Sequence, residues 1–146
     1  MRVNIYNSID TVSTLEKKEI IDFLHQNLTG YQDNWSEIQN AVEYALNPNP
    51  AFGGFILYVR KEGKIAGTLV MTKTRMKGFM PENHLVYMAS GQENDHEDIE
   101  NHLLQHALKM SKGNISLHVH DNDPMIKTFE KAGFEIKYLE MRYAGK

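Results

Sequence analysis

The chain has 146 residues, 41% of them hydrophobic and 24% charged, with a net charge of −3 and no cysteine. That length and balance fit one domain, spanning 1–146, with a sizeable core. The charge argues against a general nucleic-acid binder with a basic face, and the missing cysteine excludes disulfides, thiolate nucleophiles and Cys-based zinc sites.

The start, Met1-Arg-Val-Asn-Ile-Tyr6, is too polar for a signal peptide, and no apolar run reaches the ~20 residues of a spanning helix. The expectation is a cytoplasmic protein with neither membrane nor nucleic acid as partner. Val3 to Tyr6 alternates like a short strand. Ser13-Thr-Leu-Glu16 has the spacing of a capping box, after which Ile20, Ile21, Phe23, Leu24 and Leu28 share a helical face until Gly30. A second helix starts at Asn34, with Glu37 three residues on. It aligns Trp35, Ile38, Ala41, Val42 and Ala45 and stops at Asn47-Pro-Asn-Pro50. Strands at 54–60 and 64–74 flank the turn Glu62-Gly63 and predict a hairpin. A loop over 78–83, a strand over 84–89 and a helix over 97–112 closed by Gly113 follow. A strand over 115–120, a helix begun by Asn122, and a last strand from Phe134 to about Arg142 complete the chain. The order β-α-α-β-β-β-α-β-α-β predicts an α+β fold, a mixed, mostly antiparallel sheet flanked by helices.

Three local patterns lie in this order. They are Gly63-Lys-Ile-Ala-Gly67, the run Asn122-Asp-Pro-Met-Ile-Lys-Thr-Phe-Glu-Lys-Ala-Gly-Phe134, and the ending Lys137-Tyr-Leu-Glu-Met-Arg-Tyr143. Together they resemble the GNAT superfamily of acyl-CoA-dependent N-acyltransferases over roughly Phe52 to Tyr143. The resemblance implies a GNAT-like fold. It implies acetyl-CoA as cofactor, laid in a splay between the fourth and fifth strands with its pyrophosphate on the next helix N-terminus. It implies a small-molecule or protein amine as acceptor. On the positions that match, Met88, Ser90, His96, Asp98, Asn122 and Phe129 fall at the cofactor, with the strand amides near Met88 and Ser90 holding the carbonyl. His84 and Tyr87 fall on the strand facing the acceptor, where His84 can take the amine proton. The short ending after Phe134 implies an acceptor cleft that is either open or closed by the partner in a homodimer.

Two positions depart from the family. Its Arg-Gly-x-Gly-Ile-Gly falls on Asp95-His-Glu-Asp-Ile-Glu100, with every glycine gone. Carboxylates at Glu93, Asp95, Glu97, Asp98 and Glu100 stand where pyrophosphate would bind. Two like charges 4 Å apart cost ~4 kcal/mol at an effective dielectric of about 20, a large part of a micromolar affinity of ~8 kcal/mol. The same residues also suit a self-capped helix start, since acids complement the dipole there. Second, Phe129 replaces the tyrosine whose hydroxyl would protonate the CoA thiolate, a role worth ~10²–10⁴ in rate. These departures leave two readings open, an N-acetyltransferase and a degenerate GNAT-fold module that binds a protein or another small ligand.

Other groups have plainer explanations. His102 and His106 share a helix face and His118 and His120 a strand face, yet neither pair has the further ligands of a metal site, so no metal is expected. Asn122 suits a helix N-cap. Tyr31, Trp35, Phe79 and Met80 border the acceptor side or belong to the core.

Overall fold

The computed structural model describes residues 1–28, 33–92 and 95–145. In chain order the elements are β1 (Asn4–Asn7), α1 (Thr14–Asn27), α2 (Trp35–Leu46), β2 (Gly54–Lys61), β3 (Lys64–Lys73), β4 (Asn83–Ser90), α3 (His96–Met110), β5 (Ile115–Leu117) and α4 (Ile126–Lys131). The five strands form one sheet in the order β1-β2-β3-β4-β5. The first three pairings are antiparallel and β4–β5 is parallel. This is the expected α+β class.

Local chemistry explains most boundaries. Ser13 Oγ accepts from the Glu16 N–H at 3.1 Å, and Glu16 Oε1 accepts from the Ser13 N–H at 3.2 Å. Asn34 and Glu37 repeat this reciprocal cap at 2.9 and 3.1 Å. Each such cap satisfies two amide donors that a helix start leaves open. The β2–β3 turn falls on Glu62 and Gly63, both at positive φ, the backbone that suits a two-residue hairpin.

Two apolar layers cover the two faces of the sheet. Ile20, Ile21 and Leu24 of α1, with Ile38, Val42 and Ala45 of α2, pack on Ile56, Val70, Tyr87 and Ala89. On the opposite face, Ile99, Leu103, Leu104 and Ala107 of α3, with Phe129 of α4, pack on Leu57, Leu69, Met71, Leu85 and Met88. Gly67 sets the approach of α3: a Cβ there would stand 2.4 Å from Ile99 Cγ2 and 3.2 Å from Leu103 Cδ1.

Three expectations at the C-terminal end are corrected. No strand forms over 134–142. Phe134 packs against Phe129, but Ile136, Tyr138, Leu139, Met141 and Tyr143 are exposed. Strand propensity is realised only against a neighbouring strand, and among the described residues none pairs with this segment. The fifth strand ends at Leu117, short of His120. The last helix begins at Ile126, and Asn122 does not cap it. Asp123 takes that role in a turn: its Oδ1 accepts the Met125 N–H at 2.9 Å and its carbonyl accepts the Ile126 N–H at 3.1 Å. Pro124, which lacks an N–H, sits inside that turn. Gly30, Tyr31 and Glu93 lie outside the described residues.

Candidate active site

β4 organises the candidate site. Its first residues are fixed to the α3–β5 turn: Asn83 Nδ2 donates to the carbonyls of Lys112 at 2.7 Å and Asn114 at 3.2 Å. Pairing with β5 then runs only through Asn83–Leu85 against Ile115–Leu117. From Val86 to Ser90 the strand keeps β3 on one side, and among the described residues no strand pairs with its other edge. A cavity of about 230 Å³ opens there. Its walls include Asn27 at the end of α1, Met88 and Ser90 of β4 with Gly91 and Gln92 after it, His96, Glu97 and Glu100 from the start of α3, Met125 before α4 and Thr128 within it.

Of the residues expected at a cofactor, Met88, Ser90 and His96 are brought together in this wall. Asp98, Asn122 and Phe129 are not. Asp98 is exposed, and its carbonyl interacts with His102 Nδ1 at 2.8 Å. Asn122 is exposed in the turn before α4. Phe129 is buried in the α3 layer, edge-on to Phe134 at 5.6 Å. Gly91, Gln92, Glu100, Met125 and Thr128 were not among the expected cofactor residues. The Glu100 carboxylate could have been suspected from its spacing with His96 on one helix face.

At the start of α3, Glu97 and Asp98 lie in the first turn, as expected of acids that complement the helix dipole, while Asp95 occupies the N-cap without a side-chain hydrogen bond to the helix. Its carboxylate is turned instead to the Lys61 ammonium, which holds it below the usual carboxylate range. Glu100, one turn in, is half-buried. Burial raises its pKa, against the opposing effect of Ser90 Oγ, which donates to it at 2.8 Å. The cavity therefore combines the start of a helix that carries Glu97 and Asp98 in its first turn with a carboxyl group whose burial favours the neutral form.

His84 and Tyr87 are three apart and would face opposite sides of a regular strand. A register shift opposite Val70/Met71, where Tyr87 pairs with Val70 and Leu85 with Met71, skips Val86 and puts both on the α1/α2 face. Tyr87 is buried there and donates its hydroxyl proton to the Asp33 carboxylate. His84 sits at the foot of the splay, its Nδ1 2.9 Å from Ser116 Oγ and its ring 4.8 Å from the His118 ring. Burial, reinforced by His118, lowers its pKa to about 4, so it is neutral at pH 7 but a weaker base than an ordinary imidazole. His118 Nε2 meets Glu140 Oε1 at 2.6 Å, which brings the C-terminal segment to this cluster. Neither His84 nor Tyr87 lines the cavity. His102, His106 and His120 are exposed, and among the described residues no three potential ligands gather as a metal site. Trp35 donates to Asp22 Oδ1 at 2.7 Å within the α1/α2 layer, while Phe79 and Met80 are exposed.

Neither a protein-family model nor a curated protein sequence matches the chain. The fold, with its splayed fourth and fifth strands, is that of the GNAT acetyltransferases. A possible acetyltransferase from Clostridium difficile superposes with a TM-score of 0.68 at 14% identity, covering 99% of this chain and 98% of that one. A candidate acetyltransferase of the GNAT family from Desulfovibrio desulfuricans gives 0.67 at 14% identity, over 94% and 87%. The apo aminoglycoside 6'-N-acetyltransferase of Acinetobacter haemolyticus gives 0.65 at 11% identity, over 98% of both chains. No helix among the described residues is long and apolar enough to cross a membrane.

Proposed function

We propose that this chain is an acyl-CoA-dependent N-acyltransferase acting on an amine. The observation that carries the reading is the stretch of β4 from Val86 to Ser90, which has β3 on one edge and no strand among the described residues on the other, opening onto a cavity that reaches the start of α3. An extended pantetheine arm can add to such a strand edge, and its phosphates can meet the helix amides. The amine nitrogen would bond to the thioester carbonyl carbon as the C–S bond breaks. The amine proton would pass to His84 or to water. Phe129 has no proton to give, so the thiolate would take one from water. Calorimetry with acetyl-CoA tests the reading: measurable binding at near-millimolar ligand and modest salt supports it, and no heat under those conditions ends it.

One observation favours the second reading, a fold retained without acyl-CoA. The Glu100 carboxyl group lines the cavity near the start of α3, where a pyrophosphate would have to lie, and Asp95 at the N-cap adds a second carboxylate, paired with Lys61. If these two carboxylates are what oppose the cofactor, Glu100→Gln with Asp95→Asn should raise acetyl-CoA affinity about tenfold, the equivalent of one partly screened charge contact. An unchanged affinity in the double variant would remove the acidic residues as the reason for weak binding.

A further inference from the structure

The loop between β3 and β4 lies outside both the cavity and the His84 cluster, and it projects from the sheet as a fixed element. At its base the Thr74 N–H donates to the Glu82 carbonyl at 2.9 Å, and Thr74 Oγ1 donates to the Pro81 carbonyl at 2.6 Å. Tyr44 Oη donates to the Lys73 carbonyl at 3.1 Å. At the tip the Met76 carbonyl accepts the N–H groups of Phe79 at 3.4 Å and Met80 at 3.1 Å. The chain doubles back there and holds three apolar residues in the open: Met76 is 42% exposed, Phe79 75% and Met80 48%. Folding gains little from apolar side chains left in water, so a turn that displays three together points to a partner.

Cations surround this tip. Lys73, Arg75 and Lys77 are exposed, and none of them makes an ion pair among the described residues. Arg75 donates to the Phe52 carbonyl at 3.4 Å. The one acid between Lys73 and Asn83 is Glu82, and it is turned away: its Oε2 accepts the Asn114 N–H at 2.6 Å. The same turn brings the end of α3, with exposed Lys112, to this end of the sheet, since Asn83 Nδ2 donates to the Lys112 carbonyl. The acids Glu97 and Asp98 lie at the other end of α3. A chain of net charge −3 thus gathers bases around one apolar tip.

We propose that the β3–β4 loop docks the protein on an anionic membrane surface. Met76, Phe79 and Met80 enter the headgroup boundary, and Lys73, Arg75 and Lys77 meet the negative headgroups. Apolar burial and charge act together in such docking. It needs neither a leader nor a spanning helix, the two features whose absence suggested no membrane partner. Lipid suits the patch better than a macromolecule does. Three partly exposed side chains fall well short of the ~800 Å² per partner of a standard protein interface. A nucleic acid would meet the cations but would find two methionines where aromatic stacking platforms are usual.

Each cation near an anionic bilayer is worth about fivefold in affinity. In sedimentation, the wild type should pellet with mixed phosphatidylcholine–phosphatidylserine vesicles and stay in solution with phosphatidylcholine alone. Lys73→Gln with Lys77→Gln should need roughly 25-fold more lipid for half binding, two such factors, with unchanged far-ultraviolet circular dichroism. Arg75 is left in place because its φ of 60° already lies in the left-handed region. Phe79→Trp should add emission that shifts to shorter wavelength on mixed vesicles, while the wild-type signal, from Trp35 alone, stays put. A wild type that ignores mixed vesicles, a lysine variant that binds equally well, or an added indole that keeps its aqueous emission would overturn the proposal. So would displacement from vesicles by a single-stranded oligonucleotide or a polyglutamate peptide without any indole shift, which would mark a general anion site. None of these outcomes depends on acyl-CoA binding.

Discussion

His84 shows how one skipped residue changes what a strand presents. The shift at Val86 turns it to the α1/α2 face, where burial and the His118 ring hold its pKa at about 4, against an ordinary value near 6.5. The folded state then binds fewer protons than the unfolded state between those two values. Its contribution to stability is fully present above pH ~6.5 and is lost as pH falls towards ~4. The slope has a ceiling of about 1.4 kcal/mol per pH unit, the value for one proton. His84→Asn removes the titration and keeps a polar atom near Ser116. Urea denaturation of both proteins from pH 7 to 4 should show the wild type losing stability relative to the variant through that window. A constant difference would mean that His84 is solvated. Glu100 has the opposite sign. Its raised pKa means that stability falls as pH rises through its titration, so Glu100→Gln should gain stability at neutral pH and little in acid.

Among the elements, those with local causes were legible in the sequence. The caps at Ser13 and Asn34, the stripes of α1 and α2 and the hairpin at Glu62-Gly63 each follow from residues within a few positions of one another. What was not legible depends on distant partners. The strand expected from Phe134 finds no pairing strand among the described residues, the start of α4 is set by the Asp123 turn, and the same-face placement of His84 and Tyr87 comes from a register shift against β3. The site was legible to the same degree. Met88, Ser90 and His96 could be placed by matching positions, whereas Glu100 becomes a cavity residue only once α3 packs beside β4. Gly67 controls that packing. Gly67→Ala forces Ile99 and Leu103 away from the sheet and should cost about 1–3 kcal/mol, as overpacking does. Because α3 carries His96, Glu97 and Glu100, the same variant should weaken any ligand held in the cavity. A loss of stability under 0.5 kcal/mol, near the level of ordinary surface changes, would show that α3 tolerates displacement.

At the scale of the whole molecule, the sheet is the shared wall of two cores. Neighbouring residues of β2, Ile56 and Leu57, point into opposite layers, and Val70 and Met71 of β3 do the same. Neither layer can lose its packing without exposing the back of strands that support the other, so unfolding should be a single cooperative event. The lone tryptophan, Trp35, reports on one layer only, because it lies on α2 against the α1 residue Asp22. Leu103 lies in the other layer, fully buried on α3. Leu103→Ala should cost 2–5 kcal/mol, roughly the lost transfer energy plus the cavity left behind. Although the substitution is across the sheet from Trp35, the urea midpoint read from tryptophan emission should fall as far as the midpoint read from circular dichroism. An emission midpoint that stays at the wild-type value while the helical signal is lost earlier would show that the α1/α2 layer holds together alone. In that case Glu100 and the α3 side of the cavity would belong to a separately melting unit, and changes there would alter ligand binding without disturbing the layer that buries His84 and Tyr87.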